Sequence, residues 1–63
     1  MPTPEQTHEI RALAKQAARA LGPFAFFVDL SDYIFERLSF AVDESNVDDI
    51  ENEVARAVME VAA

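Results

Sequence analysis

The sequence predicts an all-α fold, a three-helix up-down-up bundle, on three observations. Apolar residues recur at helical spacing in three stretches, and helix-stopping residues separate those stretches. The one stretch with β-like composition has no second strand to pair with. The helices are expected at about 4–21, 24–42 and 46–62, and connections this short favour antiparallel neighbours.

The first helix is the most strongly marked. Thr3 is a good N-cap, Pro4 suits the first helical position, and Gln6 completes a capping box with Thr3. Ile10, Leu13, Ala14, Ala17 and Leu21 recur on one face, and frequent alanine raises helix propensity. Gly22 then supplies a left-handed C-terminal residue, and Pro23 blocks continuation.

The second stretch, Phe24 to Val42, holds every aromatic residue: Phe24, Phe26, Phe27, Tyr33, Phe35 and Phe40. At roughly 100° per residue, Asp29, Asp32, Glu36 and Ser39 share one narrow polar strip, and apolar residues fill an arc of roughly 240°. Arg37 and Ser31 interrupt it. One long helix is the expected form. A competing form keeps 24–28 extended and lets Asp29 or Ser31 cap a shorter helix beginning near Asp32.

The third helix begins after Asp43-Glu44-Ser45-Asn46. Ser45 with Asp48, or Asn46 with Asp49, is an expected capping pair, and the acidic first turn suits the positive end of the helix dipole. Val47, Ile50, Val54, Ala57, Val58 and Val61 line one face; Asp49, Glu53, Arg56 and Glu60 line another.

Composition narrows the function classes. A chain of 63 residues, 51% hydrophobic, is a single small helical domain whose lone core is marginal. The absence of cysteine removes disulfide staples and Cys-based zinc sites. A formal charge of −7 opposes direct binding to nucleic acid or to an anionic membrane surface. A basic-then-apolar leader and an apolar run of about 18 residues are both lacking, so a cytoplasmic location without membrane association is expected.

Catalytic inventory is thin. His8 is the only histidine, and His8-Glu9-Ile10-Arg11-Ala12 lacks the second histidine of a metalloprotease pair. Glu5 and His8 match the Glu-x-x-His spacing of di-iron bundles, but that pair occurs once and on the polar side. Counting from Asp43, an EF-hand's sixth and twelfth positions fall on Asp48 and Val54, so calcium ligation fails. Asp29-Leu30-Ser31-Asp32 departs from the Asp-Ser-Leu order in which acyl carrier proteins attach their arm, leaving a carrier modified at Ser31 as a remote alternative. No catalytic, cofactor-binding or metal-binding residue is assigned, and an enzyme is not expected.

Two surface features carry more weight. Phe26, Tyr33 and Phe40 are spaced by seven, which on one long helix stacks them in a line, with Arg37 in the same apolar field. The Ala- and Val-rich faces of the flanking helices are too slender to cover six aromatics, and uncovered apolar surface of that size marks an interface. Charge is also segregated. Residues 1–21 carry Arg11, Lys15 and Arg19 against Glu5 and Glu9, a net of +1, while residues 22–63 carry ten acids against Arg37 and Arg56, a net of −8. The ridge of three cations can pair with acids of a neighbouring helix, or the acids can face a basic partner.

The expected function is therefore a non-enzymatic protein–protein interaction module, a homo-oligomer or small adaptor, with a homodimer as the economical form. Its expected interface residues are Phe26, Tyr33, Arg37 and Phe40. The alternative is an acidic inhibitor or nucleic-acid mimic of phage or mobile-element type, carried by Asp48, Asp49, Glu53 and Glu60.

Overall fold

The capping signals at the start of the chain build the first helix as expected. In the computed structural model, which describes residues 1–62, α1 spans Pro4–Leu21. Thr3 Oγ1 accepts from the Gln6 amide at 3.1 Å, and the Thr3 amide donates to Gln6 Oε1 at 3.0 Å. Two otherwise orphaned amides are thereby satisfied. The helix ends where the Gly22 amide donates to the Ala18 carbonyl at 3.1 Å, with Gly22 at φ 85° and ψ 177°.

That backbone conformation is open to glycine alone. A Cβ on Gly22 would meet nothing within 4 Å, so the strain of a substitution is purely torsional. Gly22→Ala is expected to cost about 1–3 kcal/mol, read as a fall in the urea midpoint. Full tolerance would show that the turn rearranges freely.

The second helix corrects the expectation. It is α2, Phe27–Arg37, not a helix over 24–42. At its start, the Ala25 amide donates to the Gly22 carbonyl at 3.3 Å, closing a turn through Pro23 and Phe24. Pro23 sits at the turn position its fixed φ favours. Phe26 is then extended (φ −75°, ψ 153°) and makes no side-chain cap. Neither sequence-based form is right: 24–26 are not helical, yet the helix starts well before Asp32. At its other end, Leu38 is extended (φ −62°, ψ 136°). The next residue is held by α1: the Ser39 amide donates to Glu9 Oε2 at 2.7 Å, and its hydroxyl donates to Glu9 Oε1. An amide captured by a carboxylate 30 residues away cannot close another helical turn.

Helix α3 spans Val47–Ala62. The expected capping pairs are replaced by bonds that run backwards. The amide and hydroxyl of Ser45 both donate to Asp43 Oδ1, the Asp43 amide donates to Asn46 Oδ1 at 2.8 Å, and Asn46 Nδ2 donates to the Ala41 carbonyl at 3.1 Å. These close the connection on itself just before the helix begins.

The three helices pack on one another, with α1 touching both others more extensively than they touch each other. The core takes Ile10, Leu13, Ala14 and Ala17 from α1, Leu30 and Ile34 from α2, and Ile50, Val54, Ala57 and Val58 from α3. Its alanines let the helix backbones approach, and its volume comes from isoleucine, leucine and valine. The aromatic rings lie outside this inner cluster: Tyr33, Phe35 and Phe40 are half-buried against its edge. Among the described residues no helix is long and apolar enough to cross a membrane.

Candidate docking surface

The three remaining rings are left in solvent by the turn that starts α2. With 23–25 spent on the turn, Phe24 is 93% exposed and Phe26 is 73% exposed. Phe27 and Val28, in the first helical turn, are 49% and 60% exposed, and Leu21 at the end of α1 is also exposed. Five apolar side chains from an eight-residue stretch thus form a tip where α1 hands over to α2. Taking 150–250 Å² for an aromatic side chain, this tip leaves on the order of 500 Å² of apolar surface in water. That is near the upper end for the largest patch of an ordinary monomer.

The expected line of rings is broken up. Phe26 is the N-cap of α2 and Phe40 lies beyond its end, so only Tyr33 of the three is within the helix. Phe26 joins the tip, whereas Tyr33 and Phe40 pack on the core edge. Arg37 folds back over Tyr33, its guanidinium carbon 3.7 Å from the ring centroid, and donates to the Tyr33 carbonyl at 3.3 Å. It shields that ring instead of extending the apolar field. Sequence reasoning missed Phe24, Phe27, Val28 and Leu21 as surface residues. The signal that could have found them is Gly22-Pro23, which not only stops α1 but also opens the turn through Phe24.

The acids of α3 are largely engaged. Asp49 is 2.9 Å from the Met1 ammonium, and Glu60 is 3.8 Å from Arg11. Glu53, 8% exposed, pairs with Arg56 at 3.5 Å. The face grouping Asp49, Glu53, Arg56 and Glu60 exists, but it runs alongside α1, and only Asp48 of the four expected acidic-face residues is both exposed and unpaired among the described residues.

The strip on α2 is different. Asp29, Asp32 and Glu36 are exposed, and the only ion pair they make among the described residues is Glu36 with Arg37 at 3.5 Å. With Leu21, Tyr33 and Arg37 they line an open depression of about 440 Å³. Leu21 belongs to both the tip and this depression, so the two surfaces are continuous.

Other candidate groups remain apart. His8 is exposed in a shallow depression with Pro2, Pro4, Thr7 and Arg11. Ser31 is half-buried within α2. No group of three or more His, Asp or Glu side chains suited to a metal ion occurs among the described residues.

Two carboxylates are tuned by local hydrogen bonds. Ser39, through its hydroxyl and then its amide, holds the Glu9 carboxyl below its ordinary value of 4.5. Ser45 does the same for Asp43, below 3.8. Both bonds favour the ionised form. The Glu9–Ser39 tie is therefore complete above the ordinary carboxylate range and is lost as pH falls through the lowered folded value. The Ser39 amide resonance is expected to titrate with a midpoint below 4.5, and Glu9→Gln should abolish that step. A midpoint at or above 4.5 would contradict the geometry.

Comparison of the chain with protein-family profiles, with characterised proteins and with solved structures finds no match.

Proposed function

We propose that this protein is a non-enzymatic protein–protein interaction module that docks through the apolar tip of Leu21, Phe24, Phe26, Phe27 and Val28. The observation that carries the reading is the exposure of three consecutive-region phenylalanines beside a core that is already closed without them. Each would gain roughly 1.5–3 kcal/mol on full burial. Aromatic side chains of this kind are enriched at interface centres.

An up-down-up course of the helices fits this arrangement. Glu9 of α1 meets Ser39 beyond the end of α2, while Arg11 meets Glu60 and the chain start meets Asp49, as α1 and α3 running the same way would require. Such a course gathers the α1–α2 turn at one end of the molecule.

Any partner that covers the tip, a second copy or another protein, would stabilise a marginal domain by mass action. The acidic-mimic reading draws less support. Three of its four α3 acids are held by cations of the same chain, leaving little unbalanced charge on that face.

Light scattering and binding of a hydrophobic dye across the micromolar range test the reading. The expected result is either a concentration-dependent mass above 7.0 kDa or dye fluorescence from a monomer. A strict monomer that binds no dye discards it.

A further inference from the structure

The apolar tip is too small to be a whole interface. Its area, on the order of 500 Å², falls short of the roughly 800 Å² that each partner contributes to a standard specific contact. A partner on the tip must therefore spread onto adjoining surface, and the depression that shares Leu21 leads it along α2 to Asp29, Asp32 and Glu36.

The internal demands of α2 do not account for this strip. Asp29 in the first turn suits the helix dipole. Glu36 lies in the last turn, where a carboxylate opposes the dipole, and Asp32 and Glu36 are like charges four apart. Three of the five α3 acids are matched by cations of the chain, with Asp48 and Glu51 in no ion pair among the described residues; on α2, Asp29 and Asp32 are in none and Glu36 meets only its neighbour Arg37.

From the continuity of tip and strip, and resting on the docking reading above, we infer that the occupant is a cationic amphipathic segment of a partner protein. Its apolar side chains cover Phe24 to Val28, and its lysines or arginines lie along Asp29, Asp32 and Glu36. A second copy is a poorer occupant. Seating its own tip here brings its own acidic strip to the same place, and residues 22–63 carry a net charge of −8. Like charges brought together across an interface select against that partner.

The test uses isotope-labelled full-length protein and three synthetic helices of about 18 residues. All three share one leucine face; their polar faces are lysine, glutamine or glutamate. The lysine helix is expected to bind at least about tenfold tighter than the glutamine helix, with amide shifts centred on residues 21–37. The glutamate helix should not bind. The lysine advantage should vanish in Asp29→Asn/Asp32→Asn/Glu36→Gln and in high salt, and persist in Asp48→Asn/Glu51→Gln.

Equal binding of the lysine and glutamine helices at the tip overturns the cationic occupant while leaving the docking reading intact. So does a tip-mediated dimer that excludes all three helices. If no helix binds, and Phe24→Ser/Phe26→Ser alters neither dye binding nor mass, both the occupant and the docking reading fall.

Discussion

Ile34→Ala is expected to lower stability by about 2–5 kcal/mol. Ile34 is fully buried in the C-terminal half of the helix that contributes fewest residues to the core. The core cluster it belongs to includes Ala14, Ala17 and Ala57, which have no side-chain length with which to collapse into a vacated space. At the usual 0.05–0.15 kcal/mol per residue, a chain this short has about 3–9 kcal/mol in total. The single truncation therefore removes a large share, and at the upper end unfolds the protein at room temperature. Urea denaturation followed by circular dichroism would read this as a large fall in midpoint at unchanged slope. A loss below about 1 kcal/mol would mean that the three helices do not close around this position.

The paired substitution Phe24→Ser/Phe26→Ser is expected to do the reverse. Stability should stay within about 0.5 kcal/mol of the parent, because both rings are mainly in solvent and the core excludes them. Association, with itself or with a cationic helix, should weaken by at least about 100-fold if each ring supplies a typical hot-spot contribution. Phe40→Ser is the contrasting case: its ring packs on the core edge, so the loss should appear in the urea midpoint and not in binding. If the Phe24/Phe26 pair instead proves strongly destabilising, the rings are structural and the tip is not a docking surface.

How legible each part was in the sequence follows from the range of the interactions that decide it. The start and end of α1 are set by Thr3, Pro4, Gln6 and Gly22, all within a few residues of the backbone groups they satisfy, and both ends fall where the sequence places them, although Gly22 pairs its positive φ with an extended ψ and not with the left-handed one. The core faces of α1 and α3 follow from periodicity except at two positions: Leu21 is exposed at the end of α1, and Glu53 of the expected acidic face is buried. The end of α2 does not, because the residue that stops it is Glu9, on another helix, and nothing near Ser39 announces the capture. The start of α2 was legible in principle. Gly22-Pro23 at the head of a turn consumes the residues up to Ala25, so the seven-residue spacing of Phe26, Tyr33 and Phe40 described a helix that is not there. The candidate site moved with it, from the middle of a long helix to the junction before a short one. On α3 the spacing of the acids was right, but only the Glu53–Arg56 pair lies within the helix; Glu60 meets Arg11 of α1 and Asp49 meets the Met1 ammonium, and both pairings depend on how the helices are set side by side.

The single tyrosine stands at a boundary with an optical consequence. The chain has no tryptophan and one tyrosine, so its tyrosine emission comes from Tyr33 alone. That ring packs on the core edge on one side, lies under the Arg37 guanidinium, and borders the depression shared by Asp29, Asp32 and Glu36. Unfolding would strip the guanidinium from the ring, and a cation arriving at the strip would compete with Arg37 for Glu36 and disturb the stack. One unlabelled chromophore thus reports both events, and the protein carries its own native probe for following them.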